Sequence, residues 1–355
     1  MDNQQYELVR GTGSDEELEK YQQCFYENGS DKSLQLLKWF HQKNLPGIQS
    51  IYYALTNAKE IAAIYTYLPV KLKLMNDTVI AMQSFDTLTD HRHRGKGLFI
   101  KLACRLEKEE SAKQIELVYG FANENSAHGF IKKLGFTYFG DVPFLIKPFR
   151  VGYFIKKIFL KNKGETAGSN CAITAPEKLI FKNDVVIEEF KNFDEEYDSL
   201  WQKIKSNISI GVNRDSTYMN WRYVEKPGEN YMKYGLFKNG SLEAVIIFTL
   251  KNKHDGRIGY LMEILYAPGS EREGLQLLKF GSKVLKRNKA DLTLAWCLPH
   301  SYNYNCHKKA GFYNFPEKFR PLKLSMIVKK LNTTNENEIY DVRNWFFSYS
   351  DSDTV

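Results

Sequence analysis

Lys132-Lys133-Leu134-Gly135-Phe136 returns as Lys308-Lys309-Ala310-Gly311-Phe312, 176 residues further along a chain of 355. A second match pairs Trp39, in KWFHQKNLPG, with Trp221, in NWRYVEKPG, 182 residues on; each is followed by Pro-Gly and then by strand-like alternation. Two separations, each close to half the chain, are what a duplicated domain leaves behind, and each half has the size of one ordinary domain. The expected organisation is a first domain over 1–160, a linker over 161–180, a second domain over 181–331 and a polar tail over 332–355. Small residues, Gly and Pro in KNKGETAGSNCAITAPEKLI mark the linker.

Within the first half, Val79–Thr89 (VIAMQSFDTLT) is apolar, β-branched and bounded by polar residues, which predicts a strand. Leu98, Ile100, Leu102, Ala103 and Leu106 then recur at helical spacing to about Lys113. Between them lies Arg92-His93-Arg94-Gly95-Lys96-Gly97. A helix N-terminus offers unpaired N–H groups and a partial positive charge, and glycines lack the Cβ that would hold an anion away. The turn therefore suits a pyrophosphate. It is not the dinucleotide fingerprint, whose third glycine is here Ile100, nor a P-loop, since Gly97 follows Lys96 where Ser or Thr is required.

Strands are also expected over Tyr6–Arg10, Ile51–Leu55, Glu60–Leu68, Glu116–Phe121 and Tyr138–Lys147, with helices over Asp15–Glu27, Asp31–Lys43 and Ser126–Leu134, the last closed by Gly135. In the second half, Val185–Phe190, Gly235–Phe237, Ala244–Leu250, Tyr260–Tyr266 and Leu292–Leu298 read as strands and Leu275–Asn288 as a helix. The repeat offset carries Gly95 and Gly97 onto Glu271 and Glu273, and carboxylates repel a pyrophosphate. The second half is thus expected to keep the fold and lose the anion site. Trp345-Phe346-Phe347 makes the tail too apolar to stay in water, so it is expected to dock.

Composition narrows the functional classes. Apolar residues at 43% and charged residues at 26% describe an ordinary globular chain. No apolar run approaches the ~18 residues of a membrane span, and the N-terminus has no basic-then-apolar leader, so a cytoplasmic location is expected. Five scattered cysteines, and histidines without ligand spacing, predict free thiols and no metal. The net charge of +8 suits anionic small ligands rather than dedicated nucleic-acid binding. Basic and bulky apolar residues alternate over 147–163, a pattern that fits either peripheral contact with an anionic membrane or a packed inter-domain helix.

Arg92, Gly95 and Gly97 form an Arg-x-x-Gly-x-Gly loop that resembles the acetyl-coenzyme A loop of the GNAT N-acyltransferase superfamily. The segment Tyr119–Ser126 followed by Gly135-Phe136 is similar to that family's strand-to-helix segment. Arg214-Asp215 with Asn220-Trp221-Arg222-Tyr223 resembles a stretch of bacterial two-domain members associated with polysaccharide biosynthesis. The implied fold is α+β: two GNAT-like domains, each a twisted mixed sheet flanked by helices. The implied reaction is transfer of an acyl group from acetyl-coenzyme A, or another acyl-coenzyme A, to the primary amine of a small molecule or amino sugar. In such a protein Leu88 and Thr89 pair with the pantetheine arm, and Arg92, His93, Arg94, Gly95, Lys96, Gly97 and Leu98 hold the pyrophosphate.

The chain departs from the family where many members carry a tyrosine acid, five residues before the phenylalanine of the Gly-Phe pair; that position is Ile131. Tyr138 is the alternative acid. Asp86, three residues before Thr89, is the candidate base, and Asn123 and Asn125 are candidates for orienting substrate or a water, each with a turn-forming role as the other account. Asp351 and Asp353 reach an active site if the tail folds back. Two further classes stay open: an aminoacyl-tRNA-dependent peptidyl transferase, which the intact loop argues against, and a non-catalytic acyl-coenzyme A-binding protein, which Ile131 favours.

Overall fold

A computed structural model describes residues 5–150, 152–153, 168–320 and 323–352. They divide into two compact units: one takes the chain up to Asp141 with Lys226–Gly228 and Lys323–Asn344, the other takes the rest.

In the first unit the order is β1 (Glu7–Arg10), α1 (Asp15–Glu27), α2 (Leu34–Gln42), β2 (Ile51–Leu55), β3 (Ile61–Leu74), β4 (Asp77–Thr89), α3 (Leu98–Ser111), β5 (Leu117–Asn123), α4 (Glu124–Lys133) and β6 (Thr137–Asp141). Ser14 caps α1 and three acidic residues follow in its first turn, where the helix dipole favours them. Leu18, Tyr21, Cys24 and Phe25 recur three and four residues apart and bury against Ile51, Tyr53 and Ile64. Alternate strand residues Tyr52, Ala54, Ala63 and Tyr65 point to the opposite face, where Leu98, Leu102 and Leu106 of α3 cover them. Met75, at φ 56°, turns β3 back into β4.

The second unit contains β7 (Phe144–Pro148), β8 (Ser169–Asn170), β9 (Lys178–Phe181), β10 (Val185–Glu189), α5 (Glu195–Ile204), β11 (Ile210–Val212), α6 (Ser216–Tyr223), β12 (Met232–Lys238), β13 (Ser241–Lys253), β14 (Gly256–Tyr266), α7 (Glu271–Arg287), β15 (Leu292–Trp296), α8 (Tyr304–Lys309) and β16 (Tyr313–Asn314). Back in the first unit, β17 (Leu324–Lys330) and α9 (Glu336–Tyr340) follow.

The two sheets share one plan. The first runs β1-β2-β3-β4-β5-β17-β6 and the second β16-β7-β15-β14-β13-β12-β10-β9. In each, one parallel pair, β4–β5 or β14–β15, follows an antiparallel ladder. The strand beyond β5 is β17, from the late part of the chain, and the strand beyond β15 is β7, from the early part. Each sheet thus receives a strand from the other half of the sequence. This separates the residues expected to form one strand over Tyr138–Lys147: β6 stays in the first sheet, β7 joins the second, and Pro143 between them has no N–H for a ladder. It also explains why the division does not coincide with a single linker. Ser169–Asn170, and Lys178–Phe181 up to residue 180, fall in the segment expected to be linker, yet they pair with β13 and β10.

The fold class is the mixed α+β one expected, with two mixed sheets and flanking helices. Trp345, Phe346 and Phe347 are buried in the second unit, while Ile339 and the Asn332 side chain tie 332–344 into the first. Of the basic and apolar stretch over 147–163, only 147–150 and 152–153 are among the described residues; there Lys147 donates to the Ala310 carbonyl at 2.6 Å and stacks its ammonium on Phe312.

Candidate active site at the β4–α3 turn

Strand β4 meets β5 only over Met82–Ser84, opposite Val118–Gly120. Gly120 permits this approach, because a Cβ there would lie 3.0 Å from Ser84 Cβ. Beyond it the strands part. At that point β4 carries an extra residue: Tyr65 faces Thr87 and Tyr67 faces Ser84, so Phe85 and Asp86 together face Thr66. The Thr66 hydroxyl bridges the bulge, accepting from Asp86 N at 3.0 Å and donating to Asp86 O at 3.2 Å. The result is an opening between β4 over 85–89 and the end of β5, with the turn into α3 at its mouth.

That turn is built from polar contacts around Asp90. Its carboxylate accepts from Arg92 N at 2.8 Å, Arg92 Nε at 3.0 Å and Asn28 Nδ2 at 3.1 Å. Burial pushes the Asp90 carboxyl up, but these donors outweigh it and hold it well below the usual carboxylate range. Arg92 also reaches Glu27 at 3.4 Å, so its guanidinium shapes the loop. His93 turns inward, its Nδ1 3.0 Å from the Tyr6 hydroxyl. Arg94, Gly95, Lys96 and Gly97 face solvent. Gly95 and Gly97 both have positive φ, 77° and 71°, and an added Cβ at either meets nothing within 4 Å. Gly97 is the N-cap of α3, and the Leu98 side chain is anchored in the core. The first-turn N–H groups of α3 therefore open onto a glycine-walled space with Arg94 and Lys96 beside it, a donor set that fits a pyrophosphate.

Leu88 and Thr89 hold their β3 ladder opposite Ile64 and Ala63, in the stretch where β4 has left β5. Asp86 is buried: it accepts from the Tyr21 hydroxyl at 2.6 Å and pairs with Lys32 Nζ at 2.7 Å. Asn123 stands across the opening at the end of β5, its Oδ1 occupied in capping α4 through Asn125 N and Ser126 N, both at 3.1 Å. Asn125 is exposed in the first turn of α4. Tyr138 lies on β6, opposite Ile327 of β17, which in turn faces Gly120. It shares the row in which β4 and β5 part, but two strand spacings, about 10 Å, separate it from β5. Ile131 packs against the core. Asp351 is buried in the second unit, and Asp353 lies outside the described residues.

Sequence reasoning missed Tyr21, Lys32, Asn28 and Asp90. The first three sit on α1 or in the polar loop after it, where nothing in the spacing marks a contact with β4. Among the described residues no group of side chains is arranged to hold a metal. No helix there is long and apolar enough to cross a membrane.

Residues 6–139 match the model of the acetyltransferase (GNAT) domain, the stretch that holds the bulge, the turn and α3. No curated protein sequence matches the chain at a significant level. Among solved structures, the fold is similar to N-myristoyltransferase of Saccharomyces cerevisiae with bound myristoyl-CoA, at 12% identity and TM-score 0.60 over 92% of this chain and 84% of that one. It is similar to a GCN5-related N-acetyltransferase from Anabaena variabilis, at 13% identity and TM-score 0.61 over 92% and 73%. A probable N-acyltransferase from Enterococcus faecalis, described as a conserved protein of unknown function, matches at 11% identity and TM-score 0.61 over 93% and 73%.

Proposed function

We propose that this chain is an acyl-coenzyme A-dependent N-acyltransferase whose first unit holds the thioester, with acetyl the expected acyl group and the primary amine of a small molecule or amino sugar the acceptor. The observation that carries the reading is the opening of β4 from β5 directly onto the Gly95–Gly97 turn at the start of α3. Backbone groups at Leu88 and Thr89 take the pantetheine arm. The N–H groups from Arg94 to Leu98, with Arg94 and Lys96, take the pyrophosphate, while Arg92 and His93 hold the loop in shape.

In the reaction the amine lone pair attacks the thioester carbon, a C–N bond forms, the C–S bond breaks, and the amine proton goes to a base. Asp86 is the carboxylate assigned to that proton, Asn123 and Asn125 orient the acceptor, and Tyr138 returns a proton to the leaving thiolate through water. Alignment of amine and thioester supplies much of the rate. The two units are read as a tandem pair of GNAT-like domains, the second having lost its coenzyme site, in a cytoplasmic protein of polysaccharide biosynthesis. Ile131, packed in the core where many family members place an acid, supports a second reading: an acyl-coenzyme A-binding protein without transfer activity.

Calorimetric titration of acetyl-coenzyme A into the wild type and a Gly95→Glu variant tests the site. One equivalent bound by the wild type and none by the variant supports it; no binding to the folded wild type sinks it. A thiol-release screen of amines and of longer acyl chains then separates transferase from binding protein.

A further inference from the structure

Tyr21, Lys32 and Asp86 have counterparts in the second unit. Tyr197 on α5 lies 176 residues after Tyr21, the separation of the Lys-Lys-x-Gly-Phe repeats, and Arg214 lies 182 after Lys32, the separation of Trp39 and Trp221. Each cation stands just before a helix, α2 or α6. The acid also recurs by position. On β14, Glu263 faces Ile247 while Leu261 faces Phe248, so Met262 is an extra residue and Glu263 borders a bulge, as Asp86 forms part of the one on β4.

The contacts repeat with the residues changed. Lys32 Nζ meets Asp86 at 2.7 Å, and Arg214 Nε meets Glu263 at 2.7 Å. The Tyr21 hydroxyl donates to Asp86 at 2.6 Å; the Tyr197 hydroxyl donates instead to the Arg214 carbonyl at 2.8 Å. The surroundings differ. Arg214 is fully enclosed and also binds Asp351 at 2.6 Å, with Ser348 and Ser350 completing the set. Lys32 keeps 16% of its side-chain surface, and its ammonium lies over the Phe25 and Phe85 rings at 4.9 and 5.5 Å.

We propose that tyrosine, cation and bulge carboxylate form a duplicated device with two uses: in the first unit Tyr21 and Lys32 are positioning residues that hold Asp86 for acid–base work, and in the second Arg214 and Glu263 have become the anchor of Ser348–Asp351. The first use rests on the transferase reading above. Asp86 stands two residues before Leu88, on the stretch that has left β5, so a proton taken there comes from the mouth of the acyl site. Lys32 places an opposite charge beside the buried carboxylate, and Tyr21 fixes its direction. The other titratable groups around the device are His41 on α2, which burial and then Lys32 push down to about 3, and Tyr53 on β2, pushed up by burial; both stay neutral.

The test uses the full chain and follows coenzyme A thiol release from acetyl-coenzyme A with hydroxylamine as the amine probe, from pH 5 to 9. Arginine already fills the cation position in the second unit, so Lys32→Arg is expected to keep kcat/KM within about threefold and leave its pH profile in place. Lys32→Met is expected to lower kcat about tenfold or more and to change the pH profile, because the carboxylate loses the cation that sits 2.7 Å from it. Tyr21→Phe lowers kcat with little change in KM. Arg214→Lys lowers the melting temperature and leaves the profile unchanged. An unmoved profile and rate in folded Lys32→Met overturns the proposal; if that variant does not fold, a Lys32→Gln variant with wild-type kinetics does so. Acetyl-coenzyme A binding by calorimetry without any thiol release overturns the device and spares the coenzyme site, whereas neither binding nor release overturns both.

Discussion

Arg214→Met should destabilise the second unit far more than the loss of one side chain suggests. The guanidinium sits with no solvent exposure between two equally buried carboxylates, Glu263 at 2.7 Å and Asp351 at 2.6 Å, and also donates to the Val212 carbonyl and two serine hydroxyls. Removing one partner of a buried pair costs about 3–5 kcal/mol because the other charge stays behind. Here two buried carboxylates that both bind the guanidinium stay behind, so the upper end is expected. For a unit of this size, about 2–4 °C per kcal/mol converts this to a fall in melting temperature of roughly 10–20 °C.

The deficit should depend on pH. Burial raises the Asp351 carboxyl to about 6, Arg214 pulling it down and Glu263 pushing it up. A carboxyl whose folded value is raised contributes stability that is complete below its ordinary value near 3.8 and is lost as pH climbs through about 6. Without the arginine the Asp351 carboxyl holds its proton more tightly still, so the gap between variant and wild type should narrow from pH 7.5 to pH 5. Urea unfolding of both proteins at the two pH values, followed by near-ultraviolet circular dichroism from Trp296 and Trp345, reads it directly. Adding Glu263→Gln and Asp351→Asn to the variant should recover much of the loss. A fall of under about 2 °C, or a gap that stays constant with pH, would refute the reasoning.

Other outcomes follow from single contacts. Gly97→Ala forces a left-handed φ on alanine at a cost of about 1–2 kcal/mol, yet it should weaken acetyl-coenzyme A binding at least about tenfold, since the methyl enters the space beside the α3 N–H groups; an unchanged calorimetric Kd would count against the site. His307 donates from Nδ1 to the Asn303 carbonyl and is lowered to about 4, chiefly by burial. Its neutral form contributes stability that is present above about 6.5 and lost as pH falls toward 4, so His307→Gln should flatten the acid side of the urea midpoint against pH. Gly129→Val drives a side chain into the Phe99 ring, which a Cβ would already approach to 2.8 Å, and should lower the melting temperature by several degrees. Residues 1–160 expressed alone lack β17, leaving one edge of β5 open and β6 without its partner, and are expected to aggregate where the full chain stays monodisperse in size-exclusion chromatography.

Local features were legible. Residues Ile51–Leu55 and Asp15–Glu27 form the elements their periodicity predicts, and the glycine turn lies between β4 and α3 as expected. What escaped was non-local. The strand β17 is not among those expected, and its partners on β5 lie about two hundred residues earlier, a separation no local pattern encodes. The same holds for Lys32: in the polar run Asn28-Gly29-Ser30-Asp31-Lys32 it looks like a solvated cation, and only the return of β4 past α1 brings it to Asp86. Arg92 is the opposite case. Its place in a basic glycine loop suggests a phosphate ligand, but an aspartate two residues earlier captures it locally, as Asp so readily does in turns.

The corresponding turn of the second unit is built from different contacts. At the start of α7 the Glu273 side chain pairs with Lys238 at 2.7 Å, and the Glu271 carboxylate accepts from Gly269 N at 3.3 Å. One N–H of the turn and both carboxylates are thus engaged within the chain itself. Gly274 is no remnant of a cradle, because a Cβ there would lie 2.3 Å from the Tyr266 ring: glycine is required by the packing of α7 on β14. In the first unit Gly95 and Gly97 have no such neighbour, and their positive φ serves the turn alone. Glycine thus serves internal packing at the start of α7 and open backbone at the turn into α3, a difference that supports assigning the proposed coenzyme site to the first unit.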